Sequence, residues 1–97
     1  MRTKNAKSFT AAESAHLAKV KASGCVLCDA GPYVEAHHIE QGDHFTALGV
    51  CPDCHRGPHG IHGDQTMLRL RFKAVGLRGE VLALNETLRR VAALESA

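Results

Sequence analysis

A chain of 97 residues with 44% apolar and 23% charged side chains makes one domain and has no room for a second. Phe9, Tyr33, Phe45 and Phe72 are its whole aromatic supply, while four cysteines and seven histidines are present, so metal is the expected stabiliser of a small core. The apolar content and a net charge of only +2 exclude a disordered tail, and no run of about 18 apolar residues exists to span a membrane.

In chain order, residues 1–9 read as a basic arm and residues 10–97 as a single domain. Thr10 and Glu13 match the capping box, which predicts a helix over residues 11–22 with Ala15, Leu17, Ala18 and Val20 apolar, closed by Gly24. Val26-Leu27 and Tyr33-Val34 read as a small hairpin around the first cysteine pair. Residues 36–39 and 47–50 are short extended runs, and residues 54–56 open a short helix broken by Gly57-Pro58 and Gly60. Asp64 is the expected cap of a helix holding Met67, Leu68, Phe72 and Val75, with Gly76 and Gly79 as its stop. A last helix over residues 80–94 carries Val81, Leu84, Leu88 and Val91 on one face, as core or dimer contact.

Charge is segregated along the chain. Arg2, Lys4, Lys7, Lys19 and Lys21 against Glu13 give residues 1–21 a charge of +4. Residues 22–64 carry −5, and residues 65–97 return to +3 through Arg69, Arg71, Lys73, Arg78, Arg89 and Arg90 against Glu80, Glu86 and Glu95. Basic flanks around an acidic centre suit a polyanion such as nucleic acid, although solvated helix faces produce the same pattern.

Cys25-x-x-Cys28 and Cys51-x-x-Cys54 are two pairs separated by 22 residues, the spacing of a structural four-cysteine zinc site. No secretory leader is visible in residues 1–24, which points to the cytoplasm, where paired cysteines more often hold metal than form disulfides. Cys51-x-x-Cys54-His55 also spells a c-type haem attachment, but that use leaves Cys25 and Cys28 idle. His38-Ile-Glu40 with the later pair imitates a zinc deaminase, yet its proline follows Cys51 instead of preceding it. A thioredoxin-like use would need a βαβ context that is absent.

The histidines divide by position. His37 and His38 are adjacent on a predicted strand, where neighbours face opposite sides, unless a bulge or the strand end brings both to one site. One imidazole can then hold a metal while the next takes a proton from water. His55, beside a zinc-ligating cysteine, is a second candidate ligand. His16 reads as a surface or hydrogen-bonded residue of the first helix, and His44 and His59 have no assigned task.

Cys25-x-x-Cys28, Ala36-His37-His38-Ile39 and Cys51-Pro-Asp-Cys54-His55, in this order, resemble the HNH endonucleases, the zinc-stapled branch of the ββα-metal (His-Me finger) nucleases. The string from His55 through His59 to His62 and Gly63, with the Thr10–Glu13 helix running into Gly24-Cys25, resembles more closely the phage recombination-enhancement (Ref) nuclease family. The resemblance implies a small α+β fold, a zinc-stapled ββα-metal core with flanking N-terminal and C-terminal helices. It implies DNA phosphodiester hydrolysis with His38 as general base, His37 and His55 at a catalytic Mg2+, Mn2+ or Zn2+, and His62 as a further ligand of that metal or a phosphate contact. Structural Zn2+ would sit at Cys25, Cys28, Cys51 and Cys54, and a RecA-like recombinase filament is implied as partner besides DNA. The family's Asn that orients the general base is replaced here by His44 or Thr46. Backbone amides of residues 57–63 are a further expected phosphate contact. The rival expectation is a non-catalytic zinc-finger module that binds nucleic acid.

Overall fold

The computed structural model describes residues 9–96, so the basic arm lies outside the described residues except for Phe9. Helix α1 (Ala11–Ala22) starts at the predicted capping box: Thr10 Oγ1 accepts from the Glu13 amide at 3.0 Å, and the Thr10 amide donates to Glu13 Oε1 at 2.9 Å. Only Leu17 and Val20 of its apolar residues are buried. Strands β1 (Glu35–His38) and β2 (Ala47–Val50) form a two-stranded antiparallel sheet with Glu35 opposite Val50 and His38 opposite Ala47. A 3-10 turn (His44–Thr46) leads into β2, and α2 (Pro52–Arg56) follows it directly. Then come α3 (Thr66–Phe72) and α4 (Gly76–Glu95). Strand, strand and short helix are therefore consecutive, between one helix on the N-terminal side and two on the C-terminal side. Among the described residues no helix is long and apolar enough to cross a membrane.

The expected hairpin at Val26-Leu27 and Tyr33-Val34 does not form. Residues 26–28 are a turn, because the amides of Leu27 and Cys28 are aimed at Cys25 Sγ, each at 3.4 Å, and are not free to pair as a strand. Tyr33 and Val34 instead donate to the Lys21 carbonyl, both at 2.9 Å, which closes the segment back on the end of α1.

Two helix boundaries also differ from the expected ones. Asp64 does accept from the Thr66 amide, at 3.0 Å, but the capping position of α3 belongs to Gln65, in the left-handed conformation. That helix stops at Lys73, also left-handed, before Val75. Gly76 starts α4 and does not end α3. Gly79 lies inside α4, where a Cβ would come within 2.6 Å of the Ala74 carbonyl oxygen and 2.8 Å of Leu68 Cδ2.

The core is aliphatic: Val20, Val26, Leu48, Val50 and Leu68 are wholly buried, with Cys25 and Thr87 among them. Helices α1 and α4 both pack on β2 and on each other, which explains why all four β2 residues are buried. The buried face of α4 is Gly79, Ala83, Thr87 and Val91, which shares only Val91 with the expected stripe; Leu84 is partly buried against the core, and Val81 and Leu88 are exposed. Small residues let the helix axis come close to the sheet, and Thr87 satisfies its hydroxyl by donating to the Ala83 carbonyl at 3.0 Å. Three of the four aromatics (Phe9, Tyr33 and Phe45) are exposed, so the core of the described residues rests on aliphatic packing.

Candidate metal centres

The four cysteines converge from two turns. Cys25 and Cys28 come from the loop after α1, Cys51 caps α2, and Cys54 lies inside it; their Sγ atoms all lie within 4.8 Å of one another. Cys28 Sγ and Cys51 Sγ are 3.7 Å apart. Tetrahedral ligands are separated by about 1.63 bond lengths, so a metal–sulfur bond of about 2.3 Å requires about 3.8 Å. The cluster therefore has the dimensions of a site for a structural metal such as zinc. Burial opposes ionisation of Cys25, but the amides around its sulfur outweigh it and draw its pKa below the ordinary thiol value. Burial and the neighbouring Cys25 push Cys54 strongly up. One electron-rich sulfur beside another is costly unless a cation compensates both.

A second group also draws on α2. His37 on β1, His55 on α2 and His62 in the following loop bring one ring nitrogen each within 4.8 Å of the others. His37 Nδ1 and His55 Nε2 are 3.3 Å apart, and about 3.3–3.4 Å is the spacing that tetrahedral imidazole ligands need at a bond length of about 2.0–2.1 Å. The His62 ring lies 5.0 Å from that of His37 and 4.9 Å from that of His55, centre to centre. Burial pushes His37 below the ordinary imidazole value, against the opposing pull of Glu80.

The segment 57–63 makes this convergence possible by folding tightly over α2. The Ile61 amide donates to the Cys54 carbonyl at 2.8 Å and the His62 amide to the His55 carbonyl at 3.0 Å. A Cβ on Gly60 would sit 2.3 Å from the Cys54 carbonyl oxygen, and one on Gly63 would sit 2.2 Å from that of Pro58. These glycines serve close backbone approach. The expected phosphate cradle is overturned: the amides of Gly57, Gly60, Ile61, His62 and Gly63 all donate to carbonyls of Asp53, Gly57, Cys54, His55 and Gly60.

His38 is elsewhere. Because β1 pairs with β2 in unbroken register through His38, adjacent side chains project to opposite faces. Glu35 and His37 face α2, whereas His38 turns to the 3-10 turn, its Nε2 2.9 Å from His44 Nδ1. Burial lowers the His38 pKa, and the nearby His44 and His37 add to the effect. Among the described residues, no hydrogen bond is made by His38 Nδ1. The His44 ring meets Phe9 edge-on at 4.3 Å, and Thr46 Oγ1 closes the turn by donating to the Asp43 carbonyl at 2.9 Å. His59 lies apart, paired with Asp64, and His16 packs against Phe45 at 5.1 Å. His16, expected to be on the surface or satisfied, is half-buried, and among the described residues its buried Nε2 has no hydrogen-bond partner.

Two carboxylates that the sequence reasoning did not single out complete the histidine group. Glu35 Oε1 accepts from His55 Nδ1 at 2.8 Å, and Glu80 Oε1 accepts from His37 Nε2 at 2.9 Å. The Arg56 guanidinium grips Glu35 at 2.5 and 3.1 Å and, with His55, holds its pKa down to about 2. Glu35 was legible, since two positions before His37 on a strand is the same face. No local pattern marks Glu80, which arrives from α4.

Of the basic residues, Lys19, Arg56, Arg71, Arg89 and Arg90 are engaged in ion pairs, whereas Lys21, Arg69, Lys73 and Arg78 make none among the described residues. Comparison with family models, curated proteins and solved structures gives no match to this chain.

Proposed function

We propose that this chain is a metal-dependent DNA endonuclease of HNH type, built on a ββα-metal core whose β1, β2 and α2 carry the working histidines. The observation that carries the reading is the convergence of His37, His55 and His62 beside a separate four-cysteine cluster, with His38 next in sequence to the first ligand. One cluster then staples the fold and the other serves chemistry. A divalent cation held by His37, His55 and His62 would supply positive charge to a phosphate oxygen and to the leaving 3′ oxygen.

His38 is the general base. With its Nε2–H donated to His44 Nδ1, its Nδ1 is bare to take a proton from the attacking water, and its lowered pKa keeps the ring neutral at neutral pH. His44, and not Thr46, stands in for the orienting Asn of the family, because Thr46 is occupied within the turn. Since His37 and His38 face opposite sides of β1, the scissile phosphate lies across the end of the strand, reached from both faces. Among the described residues, Lys21, Arg69, Lys73 and Arg78 make no ion pair and are the cations to meet backbone phosphates without reading sequence. Hydrolysis in this arrangement leaves 5′-phosphate and 3′-hydroxyl ends.

The test is incubation of supercoiled plasmid with purified protein and Mg2+, Mn2+ or Zn2+, alone and with a RecA-like recombinase filament. Nicking or linearisation that disappears in His38→Ala, with zinc content and DNA binding intact, is the expected result. Plasmid left intact under every condition overturns the nuclease reading in favour of a non-catalytic zinc module.

A further inference from the structure

The geometry points to Glu80 as a positioning residue of the three-histidine site: from α4 it fixes His37 in the tautomer whose bare nitrogen faces the centre, as Glu35 does for His55. The inference rests on His37, His55 and His62 holding a cation, and not on DNA cleavage.

A carboxylate only accepts hydrogen bonds, so the ring nitrogen facing it carries the proton, and a neutral imidazole has just one. Glu80 thereby places the His37 proton on Nε2, and Glu35 places the His55 proton on Nδ1. The remaining nitrogens, His37 Nδ1 and His55 Nε2, are the two that face each other at 3.3 Å. Two lone pairs at that distance repel, and a cation between them turns the repulsion into two bonds. Were either carboxylate absent, the matching proton could move to the inner nitrogen. The two rings would then hydrogen-bond directly and close the site to metal.

The two carboxylates are not equivalent. Glu35 is fixed independently by the Arg56 guanidinium. Glu80 makes no other hydrogen bond or ion pair among the described residues, so its geometry serves His37 alone. It is also half-enclosed, its side chain 17% exposed, beside a His37 side chain 10% exposed, which strengthens the contact relative to a surface pair. Outer carboxylate partners of this kind affect metal affinity about 10–100-fold.

The experiment uses the full chain with zinc in the cysteine site. Co2+ is titrated as the probe of the histidine site and read by its absorption without thiolate charge-transfer bands. Nitrogen-15 NMR of the imidazoles, before Co2+ is added, reports which ring nitrogen of His37 is protonated. Glu80→Leu is expected to weaken Co2+ binding about 10–100-fold and to move the His37 proton from Nε2 to Nδ1. Glu80→Gln, which retains a carbonyl acceptor, is expected to restore most of the affinity and the original tautomer. Co2+ affinity within twofold of wild type in Glu80→Leu, with the proton still on Nε2, overturns the proposal while leaving the metal site standing. Equal weakening in the Leu and Gln variants with no tautomer change also overturns it, in favour of a charge effect alone. If Glu80→Leu fails to fold, Glu80→Met, which also lacks the acceptor, is judged by the same two readouts. Absence of a second metal equivalent in wild type overturns the metal site itself, whatever the variants do.

Discussion

The Arg90 guanidinium donates to the Cys25 carbonyl oxygen at 3.2 Å across 65 positions of chain, and to Asp29 Oδ1 at 2.8 Å. One α4 side chain thus clamps the first cysteine turn at both ends, with Arg71 sharing Asp29 from α3. Arg90→Met removes the charged donor from a wholly buried residue's carbonyl and should cost about 1–3 kcal/mol. Asp29→Asn, whose group is exposed, should cost less. Urea denaturation of both variants checks the order; equal losses would mean that the exposed ion pair, and not the carbonyl, matters.

Gly60→Ala tests the tight return of segment 57–63. The added methyl meets the Cys54 carbonyl oxygen at 2.3 Å, and the backbone around His62 must shift to relieve it. Overpacking of this kind costs about 1–3 kcal/mol, and binding at the histidine cluster should weaken with it. Gly42→Ala is the control, because nothing lies within 4 Å of that position and only its positive φ is penalised. Calorimetric metal titration of the two variants should separate them clearly.

The two clusters should respond differently to loss of a ligand. Cys28→Ser, or removal of the structural metal by a chelator, should lower stability by several kcal/mol, on the order expected when metal binding is coupled to folding. His62→Ala should leave the thermal midpoint within a few degrees of wild type, because His62 is exposed, and abolish only the second metal equivalent. Thermal denaturation with metal analysis decides. A collapse of the fold in His62→Ala would make the histidine cluster structural.

Acid sensitivity has a defined direction. Burial holds His37 and His38 below the ordinary imidazole value of 6.5, so below that pH the unfolded chain binds more protons than the folded one. Stability therefore rises with pH in this window: it is full above pH 6.5 and is lost as pH falls toward the folded values. Denaturation midpoints measured between pH 7.5 and 5.5 should decline, and His38→Gln should flatten part of that decline. An unchanged profile in the variant would assign the acid sensitivity to other groups.

What the sequence made legible was local. The Thr10–Glu13 capping box and the doubled cysteine spacing depend on residues three apart, and both are present in the structure. Grouping His37 with His55 and His62 needed the strand and the short helix to be adjacent, which the order of the motifs already suggested. The misread parts needed tertiary packing. A hydrophobic stripe favours Val81, Leu84 and Leu88, but close approach to β2 and Leu68 favours Gly79, Ala83 and Thr87, which carry no such signal. The Val26-Leu27 strand was overridden because the Cys25 sulfur claims the amides of Leu27 and Cys28. Glu80 is 43 residues from His37, and only the placement of α4 connects them.

Residues 40–42 between β1 and the 3-10 turn are exposed, and a Cβ on Gly42 would meet nothing within 4 Å. Every cluster draws from both sides of this loop: Cys25, Cys28, Glu35 and His37 before it, and Cys51, Cys54, His55, His62 and Glu80 after it. Chain cleavage there would yield two fragments, neither holding a complete ligand set. With a metal bound by either set, reassembly would be coupled to it, which makes this loop the natural place to split the protein for complementation.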